Sequence, residues 1–214
     1  MAKTVYVSWN TIHLHNDLWL QHLKLRKQLF VDEKGWSIPH TEDLEWDQYD
    51  TGLTRYLLTI EGDRVLAASR LNPCNYACAT SSYMIRDAVL GRLPEIPDTL
   101  LTDPPCDDYT WEATRFTVDP TLSQDERSTV LAENANAMKR WAVDAGAQRL
   151  IMLMHPAFMK WLKKNGVMTR PLGPTVVDAE GNRMCVLEWN RPTSGLPLPP
   201  AAPDLPPTPC SLSR

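Results

Sequence analysis

The sequence predicts an α/β protein built on one mixed sheet with helices on both faces. Three observations predict it. Strand-like alternation and helical periodicity succeed one another in the order β-α-ββ-β-α-β-α-ββ, which calls for a mixed sheet covered on two sides. Leu150 to Met154 is a continuous apolar run, as expected of a central strand buried on both faces. Glu61-Gly62-Asp63-Arg64 and Ala179-Glu180-Gly181-Asn182 are turn signals between strand-like segments and read as hairpins.

Each element has its own warrant. Val5, Val7 and Trp9 alternate as a short first strand. From Asn16 to Val31 the pattern is helical, with Leu18, Leu20, Leu23, Leu25 and Leu29 for the core and Asn16 at the N-cap. Arg26 and Phe30 are four apart and share a helix face. Residues 32–54 read as a long charged loop, and ordered loops of that length usually serve a function. Strands follow at 56–60 and 65–71, then an irregular Pro-rich stretch over 72–108 with a short helix near Ile85 to Gly91. A strand over 111–118, a long helix over 125–145, the apolar strand and a helix over 156–165 ending at Gly166 come next. Val176-Val177 and Met184 to Trp189 close the sheet. The folded domain is expected over residues 1–190. Over 191–214, prolines 192, 197, 199, 200, 203, 206, 207 and 209 predict a disordered or polyproline tail.

Composition narrows the function. The hydrophobic fraction of 43% suits one globular domain in 214 residues. No apolar run is long enough to span a bilayer, and Met1-Ala2-Lys3-Thr4-Val5-Tyr6 lacks a signal-peptide segment, so a cytoplasmic protein without a membrane partner is expected. A formal charge of −4 gives no reason to expect nucleic acid as a partner. The five cysteines, at 74, 78, 106, 185 and 210, read as reduced thiols. Cys74-x3-Cys78 has no second pair at ligand spacing, so no metal site is expected.

The chemistry-bearing residues fall in two clusters. One runs through Arg26, Phe30, Trp36, Asp47 and Asp50; the other is Trp111-Glu112-Ala113-Thr114-Arg115-Phe116. Charged groups set among apolar residues are costly to bury unless paired, which points to a polar site able to read a zwitterion. Arg26-x3-Phe30-x5-Trp36, Asp47-x2-Asp50, Ser69-Arg70-Leu71 and Glu112-x2-Arg115-Phe116, in that order and spacing, resemble the signature of the acyl-homoserine lactone synthases. The resemblance spans roughly residues 5 to 190, and its strength lies in the joint occurrence of the motifs.

That resemblance implies a GNAT-like acyltransferase fold, with the acyl donor entering where strands 111–118 and 149–154 splay apart. It also implies a reaction. The amine of S-adenosylmethionine attacks an acyl-CoA or acyl-carrier-protein thioester, and the methionine carboxylate then closes the lactone and expels methylthioadenosine. The product is a quorum-sensing autoinducer. S-adenosylmethionine is a substrate, and no cofactor is implied. Asp47 and Asp50 would hold the cationic end of that substrate and pair with Arg26 and Arg70. Trp36 would face the adenine or the sulfonium, or simply pack. Phe30 fits a core position equally well. Glu112, Arg115 and Arg70 form the catalytic set. Glu112 serves as base through water, since an α-amine titrates near about 8 and needs little help. Arg115 serves as an electrostatic partner of the acidic loop, because arginine hardly deprotonates. Strand alternation places Glu112, Thr114 and Phe116 on one face and Ala113 and Arg115 on the other. Phe116 and Met152 complete the substrate-binding set.

Two positions depart from the family pattern. Val89 stands where an aromatic wall is usual. Met152 stands where relatives making 3-oxo products carry Thr, and a thioether cannot donate a hydrogen bond to a 3-oxo group. An unsubstituted, branched or aryl acyl group is therefore expected. Lys160, Lys163 and Lys164 offer a basic helix for an acidic carrier, or merely a solvated face. The rival enzyme reading is a GNAT-type N-acyltransferase acting on another amine. Against it, Pro120 to Arg127 contains no glycine for a pyrophosphate cradle. A non-catalytic binding protein of the same fold would be expected to have lost the charged residues that this chain keeps.

Overall fold

A computed structural model of the chain describes residues 2–77 and 81–192. They divide into two compact units: the residues up to Leu71 with Thr114–Met138, and Asn72–Ala113 with the residues from Lys139 onward.

In the first unit, β1 (Lys3–Ser8) pairs antiparallel with β2 (Arg55–Glu61), and β2 with β3 (Arg64–Pro73), whose last two residues belong to the second unit. The β2–β3 hairpin turns at Gly62, whose φ of 58° is the left-handed conformation that favours glycine. Helix α1 (Asn16–Arg26) runs directly into a π-helical segment, Lys27–Glu33. Its buried face is His22, Leu23, Arg26 and Phe30, so Arg26 and Phe30 do share a face. Two details differ from expectation. The N-cap position falls on His15, with α1 beginning at Asn16, and Leu20 is 43% exposed rather than in the core. Helix α3 (Gln124–Asp144) is anchored to the sheet by the buried Asn134, whose amide donates to the Leu57 carbonyl and to Thr59 Oγ1 and accepts from Ser69 Oγ. A buried amide satisfied three times fixes the seating of a helix that apolar packing alone would leave free to slide.

In the second unit, the first half of β4 (Thr110–Val118) runs parallel to β5 (Arg149–Met154), and β5 pairs antiparallel with β8 (Arg183–Asn190). The β4–β5 ladder covers only Thr110↔Arg149, Trp111↔Leu150 and Glu112↔Ile151, whereas β5 stays paired with β8 out to Met154↔Cys185. The short strands β6 (Arg170–Pro171) and β7 (Val176–Val177) flank β8. Strand β6 had no signal in the sequence, being two residues long and containing a proline. Cys74, Tyr83, Ile85, Ala88, Leu100, Leu101, Ile151 and Val186 form the apolar core beneath α2 (Met84–Val89). Gly173 meets that core backbone to backbone, since a Cβ there would lie 2.1 Å from the Leu100 carbonyl oxygen. Helix α4 (Phe158–Lys164) ends near Gly166, with φ 78°. Cys74 and Cys185 are free thiols as expected, but Cys106 is disulfide-bonded, which corrects the expectation of five reduced thiols. The Pro-rich segment from 193 onward also lies outside the described residues. Among the described residues, no helix is long and apolar enough to cross a membrane.

Candidate functional site

The first unit gathers three arginines and three carboxylates into a closed ring of alternating charge. Arg26, at the end of α1, donates from Nε to Glu45 at 2.5 Å and from both terminal nitrogens to Asp50 at 2.9 and 2.8 Å. Arg70, on β3, grips Asp47 at 2.6 and 3.2 Å and reaches Asp50 at 3.0 Å. Arg115, on β4, closes the circuit through Asp47 at 2.6 Å and Glu45 at 3.2 Å. Each carboxylate bridges two arginines, and the formal charges cancel. All six side chains are nearly or fully out of solvent. Forks on carboxylates satisfy donors in pairs, which is what makes so dense a buried network tolerable.

The acidic loop is also tied to itself. Asp47 accepts from the Tyr49 amide, and its own amide donates to Asp50 at 2.8 Å. Tyr56 donates its hydroxyl to Asp50. Burial opposes ionisation of Asp50, but Arg70 and Arg26 overcome it and hold the carboxyl well below the usual carboxylate range. Asp47 is likewise opposed by burial and pulled down by Arg70 and Arg115. Burial works against the Arg70 charge too, yet Asp47 and Asp50 raise its affinity for the proton well above the ordinary value. Every lone pair of Asp47 is engaged: Tyr49 and Arg70 on Oδ1, Arg70 and Arg115 on Oδ2. Asp47 and Asp50 do pair with Arg70 and Arg26, as the resemblance implied.

Behind the ring sits His22, wedged between Trp19 and Tyr56 with ring centroids 4.5 and 5.1 Å away. Its Nδ1–H donates to the Trp19 carbonyl at 2.6 Å, while the buried Nε2 has no hydrogen-bond partner among the described residues. Burial, aided by Arg26, pushes its pKa down to about 3.

In front of the ring, the Phe30 and Trp36 rings stack at 4.9 Å and 18°. The Arg115 guanidinium lies 5.1 Å from the Phe30 centroid, and the Lys34 ammonium lies 5.0 Å from that of Trp36. Trp36 remains 39% exposed, so this aromatic surface is both built into the fold and reachable from solvent. It can receive a planar or cationic group.

Arg115 has φ 53°, the left-handed region in which a non-glycine side chain is strained. This breaks the strand alternation expected of β4. Thr114 accepts from Arg70 Nε at 3.1 Å while Arg115 reaches Asp47, so two successive side chains serve the same ion network. The expectation of opposite faces for Thr114 and Arg115 is thereby corrected. Phe116 follows, half-buried.

The remaining predicted residues lie in the second unit. Glu112 is fully buried, and its two oxygens accept from the backbone N–H of Met84 at 3.1 Å and of Ile85 at 2.7 Å, the first residues of α2. Met152 is buried on β5. Val89 packs against the apolar core of that unit. Sequence reasoning missed Glu45 and His22. Glu45 is fully buried, yet it sits in a run with Asp43, Asp47 and Asp50 that gives it no distinguishing mark.

Residues 10–188 match the family model described as autoinducer synthase. The chain is 27% identical over 184 residues to the isovaleryl-homoserine lactone synthase of Bradyrhizobium diazoefficiens, covering 85% of this chain and 77% of the relative. It is 31% identical over 169 residues to an acyl-homoserine-lactone synthase of Pseudomonas chlororaphis, covering 77% and 76%. The solved CoA-dependent acyl-homoserine lactone synthase BjaI, with SAM and isopentyl-CoA, superposes with a TM-score of 0.71 at 25% identity, over 89% of this chain and 83% of that one. The GNAT-like character expected of the fold is that of these structural neighbours.

Proposed function

The chain belongs to the autoinducer synthase family, and from that premise we propose that it is an acyl-homoserine-lactone synthase, an acyltransferase joining S-adenosylmethionine to an acyl thioester. The observation that carries the reading is the closed ring of Arg26, Glu45, Arg115, Asp47, Arg70 and Asp50. It holds the loop that precedes β2 in one shape and presents the Phe30–Trp36 stack beside a fixed guanidinium. Such a surface suits a substrate that is aromatic at one end and cationic at its centre. Preorganised charge of this kind costs no rearrangement when the substrate binds.

The chemistry needs no cofactor, because both substrates arrive activated. The neutral α-amine of S-adenosylmethionine attacks the thioester carbonyl, and Glu112 receives its proton through water. Collapse of the tetrahedral oxyanion breaks the C–S bond and leaves an amide, and the departing thiolate takes back the proton that Glu112 received. The methionine carboxylate then attacks its own γ-carbon. The C–S bond breaks with its electron pair going to the sulfonium, and neutral methylthioadenosine leaves with the lactone formed. Arg70 and Arg115 supply electrostatic order rather than protons. The thioester is proposed to enter at the end of the β4–β5 ladder, and Met152 is proposed to line the acyl site, donating no hydrogen bond to a 3-oxo group. The donor is acyl-CoA or acyl carrier protein. A cytoplasmic location follows from both substrates.

A GNAT-type acyltransferase of another amine is not favoured. The start of α3, where such enzymes cradle pyrophosphate, is closed by its own side chains. Ser123 and Glu126 form a capping box, with the Ser123 amide donating to Glu126 at 2.8 Å. The test is mass spectrometry of purified protein given S-adenosylmethionine and a panel of acyl-CoA and acyl-carrier thioesters. Methylthioadenosine together with an acyl-homoserine lactone is the expected result. Free thiol with an acylated amine and no methylthioadenosine would overturn it.

A further inference from the structure

We propose that Trp141, on the last turn of α3, sets the depth of the acyl site and restricts this enzyme to short acyl groups, a reading that rests on the function proposed above. Residues opposite one another in a ladder share a face, so Trp111, Leu150 and Trp189 form one row across β4, β5 and β8. The Trp141 ring packs edge-on against Trp111, with centroids 4.8 Å apart and planes at 78°, which places this row beneath α3. Glu112 and Ile151 occupy the other face, toward α2. One step along the α3 face, Ala113 stands on β4, and Met152 lies opposite Leu187 on β5 and β8.

The β4–β5 ladder ends at Glu112↔Ile151, so the Ala113 and Met152 level is the first at which the two strands are no longer bonded. The smallest side chain in this stretch of β4 therefore stands where the strands part, and the largest stands one row deeper. An acyl chain entering from the parted ends passes over Ala113 and meets Trp111 backed by Trp141. The two rows are about 6.6 Å apart along the strand, so in this proposal the Trp111–Trp141 pair sets how far beyond Ala113 an acyl chain can reach. Trp111, Leu150 and Trp189 are buried and locked among their neighbours, whereas Trp141 is half-buried on a helix and is the member whose removal opens depth without unseating a strand.

The experiment measures thiol release from butyryl, isovaleryl, hexanoyl, octanoyl and dodecanoyl thioesters of coenzyme A and of acyl carrier protein, with methylthioadenosine followed in parallel. The wild type is expected to favour the short acyl groups. Trp141→Ala is expected to raise the dodecanoyl-to-hexanoyl ratio of kcat/KM by about tenfold or more, with KM for S-adenosylmethionine unchanged. Trp141→Phe, which keeps a ring, is expected to retain the short-chain profile. An unchanged chain-length profile in a folded Trp141→Ala protein, or a wild type that prefers dodecanoyl, overturns the inference. Thiol release without methylthioadenosine overturns the synthase reading instead and leaves the chain-length profile to decide the role of Trp141.

Discussion

Two buried acidic sites, one in each unit, are satisfied by opposite means. In the first, Glu45, Asp47 and Asp50 are met by three guanidinium groups, every charge answered by another side chain. In the second, Glu112 is met by two backbone N–H groups at the start of α2. Deleting one member of the ring leaves two neighbours each with a single counter-charge in a low-dielectric interior. A carboxylate held by backbone is a local device whose loss leaves two amides that a shifted helix can still satisfy.

The sharpest way to break that contrast is Arg70→Ala. It leaves Asp47 and Asp50 short of a partner, and urea unfolding is expected to show a loss of about 3–5 kcal/mol. Glu45→Gln is expected to cost less, about 2–3 kcal/mol, because glutamine keeps one acceptor oxygen for the two guanidinium groups it faces. It should raise KM for S-adenosylmethionine while leaving the acyl-donor KM alone; the reverse split would remove the ring from substrate binding. Glu112→Gln retains one acceptor oxygen, so stability should fall by only about 1 kcal/mol. Turnover per folded molecule should drop about a hundredfold or more if Glu112 is the base. Equal small losses in both would reduce Glu112 to a helix anchor.

A last prediction concerns pH. His22 has its pKa lowered to about 3 in the folded chain, against about 6.5 unfolded. Between those values the unfolded chain binds the extra proton, so stability falls as pH drops, by up to about 1.4 kcal/mol per pH unit from this group. The contributions of Asp47 and Asp50 have the usual carboxylate sign. Their pKa values are depressed, so their stabilisation is complete above the unfolded value near 4 and is lost only in stronger acid. His22→Phe should therefore flatten the slope between pH 6.5 and 4 and leave the steeper acid limb in place. Chemical denaturation across that range would decide it.

This division also explains what was legible beforehand. Arg26, Asp47, Asp50, Arg70 and Arg115 announce themselves because arginines and carboxylates among apolar residues must find partners, and the helix spacing of Arg26 and Phe30 is a local matter. Met84 and Ile85 meet Glu112 through backbone N–H, which has no letter in the sequence. Glu45 was hidden among equivalent acids. The β4 faces were misread because alternation presumes extended backbone, and Arg115 departs from it through a left-handed φ that no composition signals. Leu20 fitted the helical repeat and faces solvent, where a lone leucine is ordinary.

The left-handed backbone at Arg115 ties two events together. A residue in that conformation stores roughly 1–3 kcal/mol, and it stays there only while its surroundings insist. Here the insistence comes from Glu45 and Asp47, which belong to a loop rather than to the sheet. The conformation of β4 at Arg115 and the order of the acidic loop are therefore coupled: a change that removes Glu45 or Asp47 also removes the contacts that hold this φ in place.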